Sequence, residues 1–180
     1  MKAKNIPIKD LCMMAVITAI IAVMAQIIIP MPYGVPMTLQ TLAIALAGVM
    51  LGSKKGTIST VVYVLLGAVG APVFAGFTGG LGIVFGPTGG FILSFPILAF
   101  LAGYGAEKSN KLWLWGGLVA GVIINYLCGV IFFSIYTSND LITSFVACVL
   151  FFIPMDIAKI LIAGLFGLKI RQMLLSKNMV

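Results

Sequence analysis

Long apolar runs, each near the length needed to cross a bilayer, fill most of this chain. Backbone entering hydrocarbon meets no water to hydrogen-bond, so it must satisfy its own amides and carbonyls, most simply as a helix. A helix rises about 1.5 Å per residue and crosses the core with roughly 20 residues. Composition agrees: 62% of the residues are hydrophobic and only 8% are charged. Soluble domains are about a quarter charged. The expected class is therefore all-α, an integral membrane protein forming a single domain over 1–180.

Six membrane helices are expected. The first covers 11–29, stopped by Pro30 and Pro32. The second, 38–51, is short enough to be tilted or to lie partly inside the bundle. The others are 56–70, 89–105, 113–136 and 145–168, with a polar-capped turn from Thr137 to Asp140 before the last. The 13–29 stretch is long for a cleavable signal, and no small-residue cleavage pattern follows it.

The charges fall into register with six crossings. Lys2, Lys4 and Lys9 precede the first span, and Lys54 and Lys55 separate the second from the third. Lys108 and Lys111 separate the fourth from the fifth, and Lys169, Arg171 and Lys177 follow the sixth. Asp140 is the sole charge in the remaining three connections. The positive-inside rule then puts both termini in the cytoplasm. The net charge of +7 is accounted for by orientation and anionic membrane lipid, not by nucleic acid. Trp113 and Trp115 beside Lys111 read as an interfacial anchor. Small residues recur at four-residue spacing in Ala15/Ala19, Gly48/Gly52/Gly56 and Gly117/Gly121, which lets helices approach closely.

Cys12, Cys128 and Cys148 stand at no metal-like spacing and read as apolar packing groups. Histidine is absent, which excludes histidine-based acid–base or metal chemistry. No cofactor is expected.

Asp156 and Lys159 are the only formally charged side chains inside a span. A lone charge in hydrocarbon costs several kcal/mol, so both should face inward. At i, i+3 they share a helical face, within reach of each other or of a polar ligand between them. Solute binding and a purely structural ion pair both fit that spacing.

The 70–91 stretch carries no charge. It is too glycine-broken for a regular helix and too apolar for an ordinary exposed loop. Such backbone at membrane depth lies against protein or a cavity, so a fold-back lid on the outer side is expected. Its glycine runs lack the strand, helix and Lys-Ser/Thr of a phosphate loop. Thr38, Gln40 and Thr41 at the second span, with Asn125 and Tyr126 in the fifth, offer neutral hydrogen bonds. One carboxylate, one ammonium, neutral amides and aromatic walls suit a small, partly apolar solute with donors and acceptors.

Four segments carry a resemblance: Val35-Pro36-Met37-Thr38-Leu39-Gln40-Thr41-Leu42-Ala43; Ala71-Pro72-Val73-Phe74-Ala75-Gly76-Phe77 with Gly79-Gly80-Leu81-Gly82; Gly86-Pro87-Thr88-Gly89-Gly90-Phe91; and Asp156-Ile157-Ala158-Lys159. In order and spacing they resemble the BioY biotin-transporter family over nearly the whole chain. The resemblance implies a substrate-binding S component of an energy-coupling factor transporter that captures biotin from outside. It further implies a transmembrane coupling subunit and two cytoplasmic ATPases as partners. Asp156 and Lys159 become ligand residues, joined by Tyr126, by Thr38 and Gln40, and by the 79–91 loop with Gly79, Gly80 and Thr88; Asn125 stays a binding candidate from its place in the fifth span. On this reading the ureido N–H groups donate to Asp156, and Lys159 bonds the ureido oxygen or the valerate carboxylate. Phe74, Phe77, Phe85 and Phe91 would wall the ring and tail; the family often has Tyr at the position of Phe91. Ala15 and Ala19 match the Ala-x-x-x-Ala pattern by which S components dock on the coupling subunit.

No Walker lysine motif is present, so ATP hydrolysis is assigned to partners. Rival readings are a different small vitamin, a solitary biotin carrier and a membrane scaffold. A membrane enzyme using Asp156 as general base is disfavoured, because no second carboxylate lies in a span and no nucleophile–base group is evident.

Overall fold

The computed structural model describes residues 7–31, 35–108 and 110–177; Lys2, Lys4 and Pro32 lie outside them. The first helix, α1 (Ile8–Met24), starts after Pro7, whose carbonyl accepts from the Asp10 and Leu11 amides. It ends before Pro30 is reached. Ile28–Ile29 (β1) instead pairs antiparallel with Met37–Thr38 (β2), with Ile28 opposite Thr38 and Ile29 opposite Met37. The 11–29 run is therefore part helix and part strand.

Helix α2 (Gln40–Ala68) contains one non-helical residue, Gly52, at φ 85° and ψ 176°. That backbone region is open essentially to glycine alone. The helix doubles back there. Gln40 Nε2 lies 2.6 Å from the Tyr63 hydroxyl, a meeting that a straight helix would hold more than 30 Å apart. Gly56 likewise lies against the backbone of Ala47 and Gly48. Two antiparallel arms result, 40–51 and 53–68.

A non-helical stretch follows, broken by the short helix α3 (Leu81–Val84). Helix α4 (Gly89–Ala106) then packs between α2 and α5 (Lys111–Thr137). Backbones touch because the side chains are small: Gly48 meets Ala99, Gly103 meets Gly52 and Ser53, and Gly117 meets Leu101. The Asn110 side chain caps α5 by accepting from the Leu112 amide at 2.9 Å. Ser138 ends it in the left-handed conformation.

The last run is bent. Asp140 caps α6 (Leu141–Phe145), accepting from the Thr143 amide and hydroxyl at 3.0 and 2.6 Å. Those bonds hold its carboxyl below the ordinary carboxylate range. A single π-helical turn (Val146–Leu150) leads into α7 (Ile153–Ser176), and the axes differ by 50°. The wider π turn and Pro154, which has no amide to donate, replace the straight span expected over 145–168.

Among the described residues, α4 and α5 are each long and apolar enough to cross a membrane, as is the α2 run when its two arms are counted together, and the bent pair α6–α7 raises the number of candidate spans to four. Val119, Ile123, Leu127 and Ile131 form an exposed apolar stripe at four-residue spacing on α5, as lipid contact requires. Trp113 is exposed beside Lys111, whereas Trp115 turns inward against Gly164 of α7.

The two ends of the molecule differ. At one end Lys55 bonds Asp10 at 2.8 Å. Glu107 accepts from the Ser53 amide, and Arg171 donates to the Val49 and Met50 carbonyls. The start of α1, the Gly52 turn and the ends of α4 and α7 therefore meet there, with their lysines around them. The other end carries β1, β2 and the 69–88 connection.

Candidate functional site

A cavity of about 310 Å³ lies toward the end bearing the 69–88 connection. That is near the lower limit for small-ligand sites, which run from about 300 to 1,000 Å³. Its wall comprises the start of α2, the connection, α4, α5 and α7. Asp156 and Lys159 reach it from the first turns of α7, 4% and 5% exposed.

The pair is in direct contact, Lys159 Nζ to Asp156 Oδ1 at 2.6 Å. Lys159 also donates to the Thr38 carbonyl at 2.7 Å and the Thr41 hydroxyl at 3.1 Å. An ammonium has three protons, and these three acceptors engage them all. On the far side the Tyr126 hydroxyl donates to Asp156 Oδ2 at 2.5 Å. Burying two charges is tolerated because each keeps its hydrogen bonds.

Asn125 projects from α5 beside them. Its Nδ2 donates to the Phe91 carbonyl at 2.9 Å and to Ser94 Oγ at 2.8 Å. Ser94 spends its own proton on the Gly90 and Phe91 carbonyls, which fixes the amide's orientation. Asn125 Oδ1 is buried and has no partner among the described residues. Such an orphan acceptor on a cavity wall is suited to a ligand donor.

Of the residues singled out from sequence, Asp156, Lys159, Tyr126, Asn125, Thr38, Gln40, Phe74, Thr88 and Phe91 all line the cavity. The Phe91 ring fits because it lies across Gly129, where any Cβ would collide with it. Phe77, Gly79, Gly80 and Phe85 are not in the wall. Phe77 is 72% exposed, because its amide turns inward to Gln26 and its ring outward. Phe85 caps α3 with its ring 62% exposed, while Val84 takes the buried side. Gly79 lies against the backbone of Ala71, and Gly80 donates to the Gly67 carbonyl; both brace the connection. Ala15 and Ala19 are exposed on α1.

Several wall residues were not singled out, among them Met37, Thr78, Ile83, Phe95 and Phe152. Their apolar or loop setting gives no sequence signal that separates a cavity wall from ordinary packing. Gln26 and Tyr63 stand behind the wall; a lone amide and a lone phenol inside apolar runs were the available hints.

The chain matches the BioY family over residues 1–176. It is 40% identical to the probable biotin transporter BioY of Pyrococcus horikoshii, across 84% of this chain and 89% of that protein. It is 37% identical to the biotin transporter BioY of Thermotoga maritima, across 92% and 97%. Among solved structures, it is similar to the S-component for biotin from an ECF-type ABC transporter. The TM-score is 0.85 and the identity 30%, covering 96% of this chain and 95% of that one.

Proposed function

The chain belongs to the BioY family, and on that premise we propose that it captures biotin outside the cell in the cavity walled by Asp156 and Lys159. It is the substrate-binding component of an energy-coupling factor transporter and not an enzyme. A transmembrane coupling subunit and two cytoplasmic ATPases serve the delivery of biotin across the cell membrane. The observation that carries the placement is the ion pair itself, buried yet on a cavity wall.

The chain forms one domain with six crossings: α1, the two arms of α2, α4, α5 and the bent α6–α7 unit. The doubling back at Gly52 supports this count, since it brings the basic connections to one end. That end is cytoplasmic, with both termini, and the glycine-rich connection after α2 faces outward. Ala15 and Ala19, exposed on α1, are the docking face for the coupling subunit.

Within the cavity the pair offers an acceptor and a donor side by side, matching the adjacent N–H and C=O of a ureido group. The ureido N–H donates to Asp156, and Asn125 Oδ1 accepts a further ligand N–H. The ureido oxygen reaches Lys159 by displacing Thr41, the longest of its three bonds. Phe74 and Phe91 hold the fused ring and apolar tail.

Replacing Asp156 by Asn and Lys159 by Met, one at a time, tests the placement by biotin titration. Breaking a buried pair costs about 3–5 kcal/mol, so the folded fraction is established first by size exclusion. Each variant is expected to lose biotin affinity; unchanged affinity in both rejects the placement. A screen of biotin, desthiobiotin, riboflavin and thiamine checks the ligand class. Uptake with and without the coupling subunit and ATPases distinguishes a dependent component from a solitary carrier.

A further inference from the structure

Gln26 ties the end of α1 to a segment about 50 residues away, while its Nε2 also donates to the Ala22 carbonyl one turn back at 3.0 Å. Its Nε2 donates to the Phe74 carbonyl at 3.0 Å and the Val73 carbonyl at 3.3 Å. Its Oε1 accepts from the Phe77 amide at 2.8 Å. The segment is a tight turn closed by the Phe74 amide on the Thr78 carbonyl at 3.0 Å, with Gly76 and Phe77 both at positive φ. Phe74, Ala75 and Thr78 from this turn form part of the cavity wall, whereas Gln26 does not touch the cavity.

A second anchor meets the first at Val73. The fully buried Tyr63 donates to the Val73 carbonyl at 3.1 Å and sets its ring edge-on against Phe74. Tyr63 in turn accepts from Gln40 Nε2 at 2.6 Å, and Gln40 Oε1 accepts from the Thr38 hydroxyl at 2.9 Å. The Thr38 carbonyl is the one held by Lys159 at 2.7 Å. An unbroken polar path therefore runs from the buried ion pair to the outer turn. Hydrogen bonds in a dry interior reinforce one another, and losing one member leaves a costly orphan.

We propose that Gln26 and Tyr63 are positioning residues that hold the 73–78 turn closed over the ligand, and that Tyr63 couples the turn to Lys159. Occupying the charged site and ordering the outer wall are then one linked event. This rests on the reading that the cavity takes biotin. Neither residue touches the ligand; each acts through the turn.

The test uses the full chain in detergent or nanodiscs with Gln26→Ala and Tyr63→Phe, the latter keeping the ring. Two quantities are read: biotin association and dissociation rates, and hydrogen exchange of the 73–78 amides with and without biotin. Gln26→Ala is expected to speed exchange at Phe77 without ligand. Both variants should release biotin about tenfold faster or more, the effect of losing about one buried hydrogen bond, with association not slowed. In Tyr63→Phe the protection that biotin confers on 73–78 should shrink while that in α4 and α5 persists. A merely structural role would instead lower thermal stability with release and biotin-dependent protection unchanged, and that result overturns the proposal. If the wild-type chain fails to bind biotin, the functional reading and the coupling fall together. The ligand-free exchange at Phe77 still decides whether Gln26 holds the turn.

Discussion

Asn125 is the residue whose chemistry is left incomplete by the fold. Two donated bonds lock its amide, and Asn125 lines the cavity, yet its buried Oδ1 has no partner among the described residues. An unmet buried acceptor costs about 1–3 kcal/mol, which a ligand N–H would recover. Asn125→Ala is accordingly expected to weaken biotin binding by between about fivefold and a hundredfold, measured by calorimetry. Ser94→Ala removes only a support behind the amide and should change affinity far less. Equal losses in the two variants would assign Asn125 a packing role. Asn125, Asp156 and Lys159 were legible from sequence for one reason: polar atoms inside apolar spans are costly, so they stand out. Phe77 and Phe85 were not, because a ring in a glycine-rich connection points wherever the backbone turn sends it. The Phe77 direction is set by Gln26, about 50 residues away, a relation no local pattern contains.

At the scale of elements, the apolar runs foretold the helices well, since hydrocarbon leaves few alternatives to helical backbone. What they did not convey was where a helix stops for tertiary reasons. The 25–29 tail of the first run leaves α1, and its Ile28–Ile29 end pairs with β2, although apart from Gln26 its residues are as apolar as those before it. The last run takes a π turn and a 50° bend, which carries Asp156 and Lys159 into the cavity from the first turns of α7. The turn between the arms of α2 was visible as Lys54 and Lys55, but its mechanism is Gly52. At φ 85° and ψ 176° this residue accepts no side chain easily, and a Cβ would stand 2.4 Å from a Glu107 carboxylate oxygen. That oxygen is already held by the Ser53 amide at 2.8 Å, so it cannot swing away without a cost. Gly52→Ala should therefore destabilise the fold by about 1–3 kcal/mol, seen as a lower melting temperature in detergent. Gly116→Ala, a helical site with open space around its missing Cβ, should be neutral or slightly stabilising. Equal melting temperatures for Gly52→Ala and the wild type would remove Gly52 as the cause of the reversal.

For the whole molecule, the polarity of the two ends unites the charge pattern with the position of the cavity. The Asp10–Lys55 bridge, the Glu107 cap on Ser53 and the Arg171 bonds to Val49 and Met50 hold one end together. The cavity lies toward the other, where the only connection charge is Asp140. A binding subunit that loads outside and is driven from inside needs this division, since its motors approach from the cytoplasm. Charge spacing along the sequence is the ground on which that orientation is proposed. The depth and outline of the cavity did not appear until distant segments were folded together. The orientation predicts a labelling pattern in cells. Cys12, Cys128 and Cys148 are first replaced, because Cys12 is exposed and Cys128 half-buried. In that background a membrane-impermeant maleimide should label Asn139→Cys on intact cells, since that exposed residue belongs to the turn before α6, which the proposed orientation puts outside. Lys177→Cys, equally exposed beyond α7, should react only after permeabilisation. Labelling of Lys177→Cys on intact cells, with Asn139→Cys protected, would invert the molecule and set its cavity facing the cytoplasm.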